Sequence, residues 1–188
     1  MDKSKKTSGE IRPAAKGIRQ PDWKAWLLFG GLTLAGAGLD LWSKKAVFQW
    51  LSSLADQRVV FIDGFLSFIP RLNLGAAFSI MEGQRVFLVS ISLAAFLLIT
   101  ILFALGKIRG RLMQTALGLM NAGIIGNMYD RMFNDGMVRD FIQLTFGTYQ
   151  YPTFNVADSL LCIGVGLMLI VSFTSGADST PAQPKTEP

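Results

Sequence analysis

The 188-residue chain contains no histidine and a single cysteine. The first absence removes the side chain whose ordinary titration falls nearest neutral pH, and it leaves aspartate as the main candidate for acid–base work. The second excludes an internal disulfide. Cys162 lies inside an apolar run and reads as a small packed hydrophobe rather than a reactive thiol. Charge is also scarce, at 16% of residues against 51% hydrophobic positions, and the mean hydropathy is +0.39. That balance argues against an ordinary soluble domain and for one domain of a membrane protein. The net charge of +5 would suit nucleic acid if the cations formed a stripe, but they do not. They gather in the tail up to Lys24 and in Lys107–Arg111, as on the cytoplasmic flanks of membrane helices, so membrane lipid and not nucleic acid is the expected surroundings.

Long uncharged runs are what the chain does have. Val86–Leu105 carries no charge over a length that covers the ~30 Å hydrocarbon core at ~1.5 Å per residue. Ser159–Ala177 is a second such run. Leu112–Gly126 is uncharged but carries Gln114 and Asn121, which should face other helices. Ala25–Leu39 is short, and reaches full length only if Asp40-Leu41-Trp42-Ser43 closes the helix. Gly30, Gly31, Gly36 and Gly38 in that helix suit close backbone approach to a neighbour, or equally a weakened helix. The basic tail, the first apolar stretch and Ala35-Gly36-Ala37 also imitate a cleavable signal peptide, a reading disfavoured because the chain beyond it is still membrane-like.

Four spans and the distribution of Lys and Arg set the orientation. Both termini and the loop with Lys107, Arg109 and Arg111 are expected on the cytoplasmic side, and the other two loops outside. Residues 1–22 read as a disordered basic tail, 23–177 as a four-helix membrane domain with an outer loop at 46–84, and 178–188 as a second disordered tail. Within the outer loop, Arg58–Ile62 and Phe65–Ile69 around Asp63-Gly64 read as two short strands. The expected fold class is an all-α polytopic membrane protein with four transmembrane helices and a small outer β-element.

This topology brings carboxylates together. Asp40 ends helix one, Asp130 ends helix three, Asp158 begins helix four, and Asp140 lies in the connecting segment on the same outer face. A carboxylate near hydrocarbon is expensive, so function is its default hypothesis. Two carboxylates held close share a proton, and their titration splits into two steps. The ionised member takes a proton from water while the other polarises a scissile carbonyl, which hydrolyses a peptide without metal, thiol or covalent intermediate. On composition alone, any pair among Asp130, Asp140 and Asp158 can serve.

Local context separates them in part. Asn155 and Asp158 have the spacing of a helix N-cap and an acidic N3 residue. Asp130 and Arg131 sit at a helix C-terminus, where a carboxylate needs a nearby cation, so a structural role is the better reading for Asp130. Asp40 and Lys44 stand at i, i+4, as in a helical ion pair. Asp140 has no capping explanation, among Val138, Phe141 and Ile142 after the Asn134-Asp135-Gly136 turn.

Five blocks, in order over residues 24–175, resemble the motifs of bacterial lipoprotein signal peptidases (signal peptidase II). They are Asp40-x-x-x-Lys44, Asn73-x-Gly75-Ala76-Ala77-Phe78, Asn127-x-x-Asp130-Arg131, Gly136-x-Val138-x-Asp140-Phe141 and Phe154-Asn155-x-Ala157-Asp158-Ser159. The resemblance implies an intramembrane aspartyl endopeptidase with four helices and an extracytoplasmic β-cradle, in the bacterial inner membrane. It implies cleavage of prolipoproteins just before a diacylglyceryl-modified cysteine, no cofactor, no metal, and sensitivity to globomycin-type cyclic peptides. By motif, Asp140 and Asp158 become the catalytic dyad. Asn73, Gly75, Asn127, Asp130, Arg131, Asn155 and Ala157 become the polar shell around substrate and dyad, with Asp40 and Lys44 as support. One complete site per chain makes a monomer sufficient.

Two departures stand out: Arg139 precedes Asp140 where the family often has an apolar residue, and Leu41 follows Asp40 where Gln is expected. In an extended segment neighbouring side chains point oppositely, so Arg139 is expected to face away from the dyad. A transporter would set its acids nearer mid-membrane, and a scaffold protein would need no carboxylate pair.

Overall fold

The computed structural model describes residues 20–75 and 83–176. The two tails and the Ala76-Ala77-Phe78 part of the first-loop motif lie outside the described residues. The described chain forms helix α1 (Trp23–Ser52), strands β1 (Val59–Ile62) and β2 (Leu66–Asn73), helices α2 (Arg85–Ala104) and α3 (Arg111–Phe133), strands β3 (Val138–Phe146) and β4 (Tyr149–Gln150), and helix α4 (Val156–Gly176). α1, α2 and α4 are long and apolar enough to cross a membrane. The described residues are mostly helical, with three candidate membrane spans and one small antiparallel sheet.

Helix α1 is longer than its apolar run. The Asp22 carboxylate caps its start by accepting from Ala25 N–H at 2.8 Å, and the helix continues past Leu39 to Ser52. No Pro or Gly interrupts residues 40–52, Asp40 and Lys44 pair within the bundle, and Lys45 is exposed, so nothing there stops the helix. At 30 residues it is about 45 Å long. Asp40 and Lys44 therefore lie within the helix and do not close it, and the loop after it begins beyond Ser52, not at residue 46.

Helix α3 is the hub, packed against α1, α2 and α4. Its buried face carries Ala116, Gly118, Ala122, Gly123 and Gly126, together with Asn121, Asn127, Asp130 and Arg131. Small residues let the backbones approach. A methyl group on Gly118 would stand 3.1 Å from the Phe29 carbonyl oxygen, and one on Gly123 would collide with the Ala157 carbonyl oxygen. Asn121 does face a neighbouring helix, donating to Thr100 Oγ1 at 3.1 Å. Of the four glycines singled out in α1, only Gly36 is at a close approach, where an added Cβ would stand 2.7 Å from Ala122 Cβ and 3.1 Å from Leu160 Cδ1; around Gly30, Gly31 and Gly38 the space is open. Cys162 is exposed on α4, so it is not the packed hydrophobe expected; the face of α4 that carries it points out of the bundle.

The sheet has the order β1-β2-β3-β4. The β1–β2 hairpin turns at Asp63-Gly64, with Gly64 at φ +66°, as its flanking strands lead one to expect. The second strand runs on to Asn73 because it pairs with β3, placing Arg71 opposite Asp140 and Asn73 opposite Val138. The segment read as a connection after α3 is thus a strand, and Asp140 sits on it. Phe68 binds the hairpin to β3 through an edge contact with Phe141, ring centroids 5.3 Å apart.

The open and closed glycines of α1 predict opposite outcomes. Gly36→Ala should destabilise the bundle by about 1–3 kcal/mol through overpacking, whereas Gly30→Ala should be neutral or stabilising by up to ~1 kcal/mol through helix propensity. Melting temperatures in one detergent check the pair: the first falls and the second does not.

Candidate active site

The site is built where α1, the end of α3, β3 and the start of α4 meet. Its base is Lys44, fully buried, whose ammonium reaches Asp40 Oδ2 at 2.8 Å, Asp130 Oδ2 at 3.4 Å and Asn127 Oδ1 at 3.0 Å. A buried ammonium is tolerable only when its charge is paired and its protons are accepted. Asp40 also accepts from Ala157 N–H at 2.8 Å through Oδ1, which ties the first turn of α4 to α1. Gly126 permits this, because a Cβ there would strike the Asp40 carboxylate.

Asn155 and Asp158 form a reciprocal cap on α4. Asp158 N–H donates to Asn155 Oδ1 at 3.0 Å, and Asn155 N–H donates to Asp158 Oδ2 at 3.1 Å. The capping reading of these two residues is therefore correct, but it does not exhaust them. The Asn155 side-chain amide donates to Asp140 Oδ1 at 2.6 Å and to Asn127 Oδ1 at 3.1 Å. Asn127 Nδ2 donates to Asp158 Oδ1 at 2.8 Å. Asn73 Nδ2, from β2, donates to Asp140 Oδ2 at 3.2 Å, while its Oδ1 accepts from Gly75 N–H at 2.9 Å. Two carboxylates from different elements are thus joined through one asparagine and flanked by two more.

Asp140 is 2% exposed. Burial, then the negative charge of Asp158, pushes its carboxyl up to about 7, against the lowering effect of the hydrogen bonds from Asn73 and Asn155 and of the Lys44 charge.

The alternation of β3 separates the two sides of the site. Arg139 points away from Asp140, as expected for neighbours in an extended strand, and its Nη2 binds Asp130 Oδ1 at 2.6 Å. Its backbone N–H also donates to Asp130 Oδ2 at 2.9 Å. The cations that hold Asp130 are therefore Arg139 and Lys44, and not its neighbour Arg131. Arg131 instead donates to the carbonyls of Gly75 at 2.8 Å and Asn127 at 3.4 Å, both within the motif blocks.

Every residue singled out for the site lies in this network or directly against it. The reading of the residues missed two things: the strand that carries Asp140, and the pairing of Arg139 with Asp130. The spacing of Asp130 and Arg139 across a turn gave no periodic signal, although an arginine beside a buried carboxylate could have been asked what it neutralises.

The fold is that of a membrane enzyme. It is similar to a solved bacterial membrane enzyme structure with a TM-score of 0.70 and 27% identity, covering 86% of this chain and 94% of that one; a second bacterial membrane enzyme matches with a TM-score of 0.64 at 26% identity, covering 87% and 99%. Curated relatives include the lipoprotein signal peptidase of Rhodopirellula baltica, 38% identical over 161 residues (79% of this chain, 72% of that protein). Those of Bacillus pumilus, 41% identical over 115 residues (61% and 74%), and Listeria monocytogenes, 38% identical over 145 residues (76% and 90%), agree with it. The family model described as signal peptidase (SPase) II matches residues 32–174. The chain belongs to the signal peptidase II family, and as such it is an integral membrane protease.

The raised Asp140 carboxyl makes a prediction about stability. Its folded value of about 7 lies above the ordinary 3.8, so the folded state holds a proton between these pH values that the unfolded chain has released. Asp140 therefore costs no ionisation penalty below about pH 4, and its penalty grows as pH rises from there and levels off above about 7, at on the order of 4 kcal/mol. Asp140→Asn removes that penalty. Its melting temperature relative to the parent should rise from pH 4 to pH 8, and a pH-independent difference would contradict the assignment.

Proposed function

We propose that the chain is an aspartic endopeptidase of the bacterial inner membrane that removes signal peptides from prolipoproteins. It would cut just before the diacylglyceryl-modified cysteine, with Asp140 and Asp158 as the catalytic dyad. The observation that carries the assignment is the Asn155 bridge. One residue donates through its side chain to Asp140 at 2.6 Å and through its backbone to Asp158 at 3.1 Å, whereas Asp130 and Asp40 are occupied by cations.

Asp140, raised to about 7 by burial and by its partner's charge, is the member that holds the shared proton at neutral pH. Ionised Asp158 then takes a proton from water, and the water oxygen attacks the scissile carbonyl carbon. Asp140 donates its hydrogen bond to the carbonyl oxygen as the tetrahedral intermediate forms. Collapse of the intermediate breaks the C–N bond, and the proton gained by Asp158 passes to the leaving nitrogen. Asn73, Asn127 and Asn155 hold the dyad without adding charge, with Gly75, Arg131 and Ala157 beside them; Asp40, Lys44 and Asp130 brace the helices that carry it. No cofactor or metal takes part, and a monomer is sufficient.

In this reading α3 is the fourth membrane-crossing helix. Its 23 residues reach about 35 Å, and its Asn121, Asn127, Asp130 and Arg131 are buried. Both termini lie in the cytoplasm, as the basic flanks suggest, and the dyad lies towards the outer leaflet beneath the sheet. A lipid-modified substrate can then approach sideways with its acyl chains still in the bilayer.

Asp140→Asn and Asp158→Asn should each lower cleavage of a diacylglyceryl prolipoprotein by a factor of ~10³ or more while keeping the parent's elution profile. Either purified variant working at the parent's rate would defeat the dyad. Because Asp140 must be protonated, kcat/KM should also fall as pH rises through about 7; a kcat/KM that climbs steadily from pH 6 to 9 would exclude Asp140 as the acid. Chelators should leave the rate unchanged, and loss of activity restored by added metal would contradict the two-aspartate mechanism.

A further inference from the structure

Behind β3, on the side opposite Asp140, a groove of about 420 Å³ opens between α1 and the end of α3. Trp42, Lys45, Tyr129, Phe133 and Arg139 line it, with Asp130 at its floor. The Asp130 side chain is fully covered, whereas 22% of the Arg139 side chain remains exposed. Lys45 is exposed and forms no ion pair among the described residues. The charges that a visitor to this groove can reach are therefore both positive.

Helix geometry gives the depth of the groove. Trp42 stands 19 residues after Trp23, which is about 28 Å along a helix and close to the ~30 Å thickness of a hydrocarbon core. Both rings are exposed, at 70% for Trp23 and 67% for Trp42, as in the two aromatic belts of a membrane helix. Tyr129 stands 18 residues after Arg111 on α3, about 27 Å by the same rise, and is also exposed. The two helices thus put an aromatic side chain at the same membrane face, and Lys45 lies one turn beyond Trp42. Cations there meet phosphate and not acyl chains.

We propose that this groove binds the headgroup of an anionic phospholipid. The phosphate pairs with Lys45 and with the outer edge of the Arg139 guanidinium, and Trp42 and Tyr129 pack at the level of the glycerol. Arg139 then bridges two anions: the buried Asp130 on its inner side and the lipid phosphate on its outer side. The site is separate from the dyad because the pleat of β3 puts Arg139 and Asp140 on opposite faces. It depends on membrane embedding and not on the proteolytic reading.

The test uses the full chain in non-ionic detergent micelles and native mass spectrometry, with phosphatidylglycerol, phosphatidylcholine and inorganic phosphate titrated separately. The parent should retain one phosphatidylglycerol at least fivefold more tightly than phosphatidylcholine, and should not retain inorganic phosphate. Lys45→Gln should weaken phosphatidylglycerol retention about fivefold, and Trp42→Ala should weaken both lipids. Lys107→Gln, at the opposite end of the bundle, should change neither. Equal retention of the two lipids, retention of inorganic phosphate as tightly as the lipid, or an unaltered Lys45→Gln variant would each overturn the proposal. Lys45 is exposed and forms no ion pair among the described residues, so its replacement is not expected to unfold the chain; an unchanged melting temperature checks this, and Trp42→Ala tests the groove independently.

Discussion

A single buried ammonium organises the polar interior. Lys44 has no access to solvent, so its charge must be met by the protein, and the partners come from two helices: Asp40 from α1 and Asp130 with Asn127 from α3. Removing any one would leave charge or a donor unmatched in a low-dielectric interior, at a cost of several kcal/mol. The neighbourhood is shaped to let these groups meet. Gly126 leaves room for the Asp40 carboxylate, and Asp40 in turn takes the Ala157 N–H at the start of α4. Three helices are therefore fixed relative to one another by groups that surround one nitrogen.

The same ammonium orients the carboxamides above it. Lys44 can only donate, so the Asn127 group facing it must be the carbonyl oxygen. That oxygen also accepts from Asn155, which leaves Asn127 Nδ2 to face Asp158. The usual ambiguity of a carboxamide is removed by a neighbour with no acceptor capacity. Asn155 is constrained in the same way. Its Oδ1 caps the Asp158 N–H, so its Nδ2 turns to Asp140. The carboxylates on β3 and α4 are thus aligned by a chain of directional bonds that begins at Lys44.

Much of this was legible before any fold was known, and the reasons are physical. Asp40 and Lys44 share a helix face at i, i+4, and Asn155 and Asp158 carry the spacing of a capped helix start; both are local arrangements that sequence encodes directly. The length of α1 was not legible, because an apolar run marks where lipid is, whereas a helix ends where its backbone or its charges demand it. Paired charges made no such demand at Asp40. β3 was missed because it is buried on both sides in its first half. Val138, Asp140, Phe141 and Gln143 are all covered, so the apolar–polar alternation that marks a strand facing water is broken. Its partner β2 is about seventy residues away in the chain, and no local signal reports such pairing.

Arg139 shows why a departure from a family's pattern need not disturb its chemistry. A guanidinium next in sequence to a carboxylate with raised pKa would favour the charged form if it reached that carboxylate. The strand period turns it to the opposite face, where Asp130 accepts both its side chain and its backbone N–H. There it serves the same end as Lys44. Asp130 lies at the C-terminal end of α3, where the helix macrodipole disfavours negative charge, and two cations offset that cost from opposite sides. One face of β3 then carries the Asp140 carboxyl, and the other carries the cation that pairs with Asp130. Separating the two side chains across one pleat keeps the Arg139 charge close enough to hold Asp130 and turned away from Asp140, whose carboxyl burial has raised.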